Sequence, residues 1–125
     1  MEPMNRATLL ALHETMCDAA REIMRAKNHD YSGGKDTTNP FLNFTRVERM
    51  GVTDTHTGFL VRIVDKLSRL VTHSKNKHFE VNESLEDTVL DVINYMILYF
   101  AYTADQTNKD NPNYEFGHDT GDEDD

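Results

Sequence analysis

The stretch VLDVINYMILYFAY, residues 89–102, decides the fold of this chain. Wound as a helix, it places Val89, Val92, Ile93, Met96 and Phe100 on one face, continuing back to Leu85. Leu90, Tyr95, Ile97, Leu98 and Tyr99 make most of the remainder. A helix apolar nearly all round has to be covered on nearly all sides. With Asp91 and Asn94 inside it, the run is too short and too polar to cross a bilayer, which takes about 20 apolar residues. It therefore reads as the central helix of a bundle. Asn82 or Ser84 is the expected cap, with acids in the first turn where the helix dipole favours them, and the helix is expected to end near Ala104 or Asp105.

The same periodicity predicts two further long helices. In the first, over about residues 7–27, Leu9, Leu12, Met16, Ala19 or Ala20, and Ile23 recur at three- and four-residue steps. The second runs from Asp54 or Thr57 to Ser74. There Leu60, Ile63, Val64, Leu67, Leu70 and Val71 form an apolar stripe opposite Arg62, Asp65, Lys66, Arg69 and His73. Residues 41–50 read as a short helix stopped by Gly51. NHDYSGGKDTTNP, residues 28–40, reads as a loop. No segment alternates with period two. The expected fold is all-α, a compact bundle of four to five helices over 1–106. Residues 107–125 are expected to form a flexible acidic tail.

Composition narrows the function. The 125 residues carry a formal charge of -9, and six of the acids fall in the last eleven positions. A mildly acidic body excludes a nucleic-acid backbone as main partner, because that partner requires a basic face. A nucleotide remains open, since a divalent cation can supply the charge. One cysteine, Cys17, precludes an internal disulfide and points to a reducing compartment. The N-terminus lacks the pattern of a signal peptide, so a cytoplasmic protein with no membrane partner is expected.

The chemistry concentrates on the helix of 85–104. A buried carboxylate needs a base, a hydrogen-bond network or a metal, and Asp91 lies in the most apolar run. Glu83, Asp87 and Asp91 are spaced i, i+4 on one strip, where like charges repel unless a cation intervenes. Mg²⁺, or Mn²⁺ in its place, is the expected cation, and Asp65 offers a third carboxylate from the neighbouring helix. Arg62, Asp65, Lys66 and Arg69 share a face on which the bases suit phosphate oxygens. The competing readings are an ordinary solvated face and an Asp91 paired with Arg62 or Arg69. Gly33-Gly34-Lys35 is not a P-loop, because Asp36 stands where Ser or Thr is required. Asp30, Tyr31 and Asn43 are candidate contacts for a base or sugar. The histidines lack zinc-ligand spacing.

Four segments in order, KNHDYSGG (27–34), PFLNF (40–44), FLVRIVDKLSRL (59–70) and ESLEDTVLDVINYMIL (83–98), resemble a small helical family often carried by phages and labelled nucleotide-modification-associated. That family is similar to the all-α MazG-like and dimeric dUTPase-like nucleoside triphosphate pyrophosphohydrolases. The resemblance spans about residues 8–104. It implies a bundle that forms a homodimer or homotetramer and works in the cytoplasm, for a phage-encoded chain that of the host cell. It implies Mg²⁺-dependent hydrolysis of a (deoxy)nucleoside triphosphate to monophosphate and pyrophosphate, the metal being held by an ExxE pair and an ExxD pair. This chain departs from that pattern. Only Asp65 stands in the first pair, and the second is Asp87 and Asp91, one residue out of spacing. The expected ligands are thus Asp65, Asp87 and Asp91, with Glu83 or Glu86 as substitutes. Lys66, Arg62 and Arg69 are then expected to steady phosphates, Glu86 to accept a proton, and Asn94 to orient a ligand or water. The missing acids also suit a second reading, a non-catalytic nucleotide-binding or oligomeric adaptor. A third, a partner-binding protein acting through residues 115–125, rests only on the acidic tail.

Overall fold

A computed structural model describes residues 3–31, 39–76 and 84–110, apart from the side chains of 28–31 and 76. The described residues are all-helical: α1 (Arg6–Tyr31), α2 (Leu42–Arg49), α3 (Thr55–Asn76) and α4 (Leu85–Asp110). Local chemistry sets their ends. Asn5 and Thr8 form a reciprocal box before α1: Thr8 N–H donates to Asn5 Oδ1 at 2.9 Å, and Asn5 N–H to Thr8 Oγ1 at 2.8 Å. Ser84 caps α4 by accepting from Asp87 N–H at 3.0 Å.

The turn between α2 and α3 is the most fully specified. Gly51, at φ 79°, supplies the left-handed residue that ends α2. Val52 N–H then donates to Val47 O at 2.8 Å and Gly51 N–H to Glu48 O at 3.0 Å, satisfying the last carbonyls. Asp54 opens α3 by accepting from Thr57 N–H at 2.7 Å and Thr57 Oγ1 at 3.0 Å. Those bonds from Thr57 lower the Asp54 pKa. Glu48 Oε1 accepts from both Thr55 N–H and Thr55 Oγ1, tying the end of one helix to the start of the next. Gly58 lets them pack closely, since a Cβ there would stand 2.9 Å from Val47 Cγ2.

α4 is the hub. It packs against α1 and α3, while α2 packs on α3. His56 meets Tyr99 and Lys66 meets Asp91, so α3 and α4 are antiparallel. Ala20 meets Asn94 and Lys27 meets Asp91, so α1 runs antiparallel to α4 as well. The core is aromatic: Phe41, Phe44, Phe59 and Tyr102 are buried, with Tyr95, Leu98 and Tyr99 against them. Phe44 stacks on Phe59 with ring centroids 4.3 Å apart, and Phe59 is fully buried.

Three expectations change. α1 continues through residues 28–31, which the sequence reads as loop, because the glycines that would break it come only at Gly33-Gly34. α4 runs on to Asp110, past the expected boundary at 106/107; an i, i+4 pair of Asp105 with Lys109 at 3.5 Å and a Thr107 bond to the Thr103 carbonyl support that last stretch. Residues 111–125 lie outside the described residues. The apolar stripe of α3 is not core: Ile63 is buried and Leu70 half-buried, while Leu60, Val64, Leu67 and Val71 are exposed. The side that packs inward is the one bearing Phe59, Ile63 and Lys66.

Phe59→Ala is expected to destabilise the fold by about 3–5 kcal/mol, read as a shift of the urea unfolding midpoint, because it removes the ring on which Phe44, Tyr99 and Tyr102 pack.

Candidate functional site

Asp91 lies at the meeting of three helices. Its side chain is 17% exposed. Lys66 of α3, 14% exposed, approaches Oδ2 at 2.9 Å. Lys27 of α1, half-exposed, approaches Oδ1 at 3.2 Å. Burial pulls the Asp91 pKa upward, but the hydrogen bond from Lys66 and the charges of Lys27 and Lys66 outweigh it and hold the carboxyl below its ordinary value of 3.8. One turn on, buried Asn94 donates from Nδ2 to the Ala20 carbonyl at 2.9 Å, fixing α1 against α4.

Beside this triad is a recess of about 410 Å³, part of it open solvent. Met24, Lys27, Phe44, Asp91, Asn94 and Tyr95 line it together with Pro40 and Leu98. Its walls are mainly apolar, with the charged groups at one side. Arg62 stands behind Phe44, its guanidinium 4.8 Å from the ring centroid. With the Asn43 amide turned so that its oxygen faces Arg62, that oxygen accepts from Nη1 at 2.8 Å and Nη2 at 3.3 Å. Phe44 thus has Phe59 stacked on it and a cation over its ring, so it shapes the recess as a fixed wall.

The structure gathers some of the expected residues and separates others. Asp91, Lys66 and Asn94 converge, and Arg62 and Asn43 pair beside them. Asp65 is exposed and reaches Arg69 at 3.5 Å along its own helix. Glu86 and Asp87 are exposed in the first turn of α4. The side chains of Asp30 and Tyr31, and Glu83 altogether, lie outside the described residues.

The ligand set Asp65, Asp87 and Asp91 is not brought together in this chain. Among the described residues no three of His, Cys, Asp or Glu converge. Both Asp91 oxygens face ammonium groups rather than another acid. These residues do not fit a Mg²⁺ site, which needs oxygen donors around one point. Asp91 does have the base that its burial demands, but from Lys66 and Lys27 instead of Arg62 or Arg69.

Set against known protein families, curated proteins and solved structures, the chain has no significant match.

Lys27 is the member of the triad that the sequence reading did not join to Asp91. Its signal is positional: Met16, Ala20, Ile23 and Lys27 follow one another at core-facing steps. A lysine on that stripe buries its stem and carries its charge to a partner.

Asp91→Asn is expected to cost about 1–3 kcal/mol at neutral pH, because it leaves the nearly buried Lys66 without its counter-charge. The folded-state pKa of Asp91 is depressed, so its contribution is complete above 3.8 and is lost as pH falls through the lower folded value. The stability gap between wild type and Asp91→Asn, from urea unfolding followed by circular dichroism, is therefore expected to close in strong acid. A gap independent of pH would show that the charge of Asp91 is not what holds the junction.

Proposed function

We propose that this chain binds a (deoxy)nucleoside triphosphate in the recess between α1, α2 and α4, with phosphates against Lys27 and Lys66 and the nucleoside toward the apolar wall. The observation that supports this is the convergence of two lysines from separate helices on Asp91, with Asp91 and Lys27 lining the recess. Two cations and one anion leave the junction net positive in a chain of formal charge -9, which favours a polyanion at that place.

The reaction belonging to this reading is hydrolysis to monophosphate and pyrophosphate, in nucleotide-pool or modified-nucleotide metabolism, with a homodimer or homotetramer as the working form. It draws on the four-segment resemblance. Mg²⁺ enters from the same source, and since the carboxylates do not compose its site, no step is assigned to it. A second reading, binding without turnover, is favoured by a specific observation: the one acid at the recess is engaged by lysines.

Incubation of the protein with each common (d)NTP and Mg²⁺ or Mn²⁺, with chromatography of the products, separates the two. Monophosphate with pyrophosphate establishes the hydrolase. Thermal stabilisation by a triphosphate without turnover, equal with and without metal, establishes the binding protein. In either case Lys27→Gln, at a half-exposed position, is expected to weaken triphosphate binding about tenfold, the loss of about 1.4 kcal/mol. Unchanged affinity in titration calorimetry would remove the recess as the phosphate site.

A further inference from the structure

The first half of α1 has no buried residue: every described position from 3 to 15 is exposed. Its sequence does not account for that. Leu9, Leu12, Met16, Ala20, Ile23 and Lys27 follow one line along the helix, and the step from Leu9 to Lys27 is about five full turns. Ala20 and Lys27 meet α4 on that line, through Asn94 and Asp91. Leu9 therefore points the way Lys27 does, yet it is 53% exposed, and Leu12 is 44% exposed. The reason lies on the facing helix. Continuing the direction of Asn94, α4 offers Ala101, then Asp105 and Asn108: one small residue and two polar ones. The antiparallel register that sets Ala20 beside Asn94 sets Leu9 at the level of Asp105. The leucines thus line a shallow apolar face at the outer end of α1 and α4 that neither helix fills.

We propose that this face is a docking site for the chain's own residues 111–116, with Tyr114 and Phe116 laid over Leu9 and Leu12. That segment lies outside the described residues, and its composition and its length select it as the occupant. Beyond Ala104 the sequence is polar except for Pro112 and these two aromatic rings. Proline disfavours helix at the residue before it, so Pro112 marks where the chain can leave the axis of α4 just after Asp110. At about 1.5 Å per helical residue, Leu9 lies roughly 8 Å back along α4 from Asp110, and Leu12 roughly 12 Å. Extended chain covers about 3.4 Å per residue, which carries Tyr114 about 14 Å from Asp110 and Phe116 about 20 Å. Both rings reach their leucines. Neither reaches the level of Asn94, roughly 24 Å back, so the recess is outside their range and the proposal does not rest on the nucleotide reading. A tether this short gives the rings an effective concentration on the order of millimolar at that face, which a separate partner at micromolar concentration does not match.

Nuclear Overhauser contacts in the full chain test this directly. Ring protons of Tyr114 and Phe116 are expected to show cross-peaks to the methyls of Leu9 and Leu12. In a mixture of labelled and unlabelled protein, filtered for contacts between copies, those cross-peaks are expected to vanish. Amide hydrogen exchange supplies the energetic arm. Tyr114→Ser with Phe116→Ser is expected to lower protection over residues 10–15 about tenfold and to leave residues 20–27 unchanged. Asp122→Asn, Glu123→Gln, Asp124→Asn and Asp125→Asn together are expected to leave both unchanged, because the contact is apolar. Rings without cross-peaks to α1 overturn the proposal. Cross-peaks seen only between copies overturn it equally, since they give the face to a second molecule. Protection of 10–15 that is indifferent to loss of the rings, or that falls as far when the acids are neutralised, also overturns it.

Discussion

A carboxylate on a helix that is otherwise apolar is the constraint from which the arrangement of this protein follows. Asp91 cannot be left unneutralised among Leu90, Val92 and Tyr95 without a cost of several kcal/mol. It has no base on its own helix within a turn, so the charge has to come from neighbours. α3 brings Lys66 and α1 brings Lys27, each to a different oxygen. Two helices that α4 packs against in sequence-distant registers are thereby placed in rotation as well as contact. Asn94, one turn on, adds a second fixed point to α1. Apolar packing alone would leave those rotations loosely defined, because hydrophobic burial has no direction.

Placing Lys66 inward has a consequence for the rest of α3. A helix has one face for each direction, and the face that meets α4 carries Phe59, Ile63 and Lys66. The stripe one position later, from Leu60 to Val71, is carried to the outside. The sequence reader and the fold therefore choose different faces of the same helix. Periodicity identifies which residues of α3 are apolar together, and it does so correctly. It does not say whether the partner that covers them is in the same chain. The same holds for Met96 and Phe100 on α4, whose nearly all-round apolar character is legible in residues 89–102 and which are exposed among the described residues.

The elements whose specification is local were the most legible. Gly51 ends α2 because only a left-handed residue closes that turn, and Ser84 starts α4 because its oxygen accepts the Asp87 N–H. Both rules act within a few residues. The candidate site was half-legible for the opposite reason. That Asp91 needs a partner is visible from its neighbours, but which partner depends on the mutual rotation of three helices. Lys27 is 64 positions from Asp91, and although it opens the segment KNHDYSGG, nothing local ties it to that carboxylate. Asp65, which shares a face with Lys66 on a coarse wheel, is separated from it by enough rotation to face solvent and Arg69 instead.

This difference bears on how the charges of α3 work against α4. In the ExxE and ExxD pattern from which this sequence departs, acids on two helices repel until a cation enters between them. Here α3 presents Arg62, Lys66 and Arg69 over the same span, with one acid among them. The electrostatic requirement of Asp91 is unchanged, but the cation that meets it is built into the chain. An arrangement of that kind does not need an added positive ion to be stable. With two ammoniums for one carboxylate, it is left with positive charge of its own. That charge is what the proposed triphosphate binding rests on. In the proposed reading, a helix face that carries bases where the pattern has acids turns the site from metal toward anion.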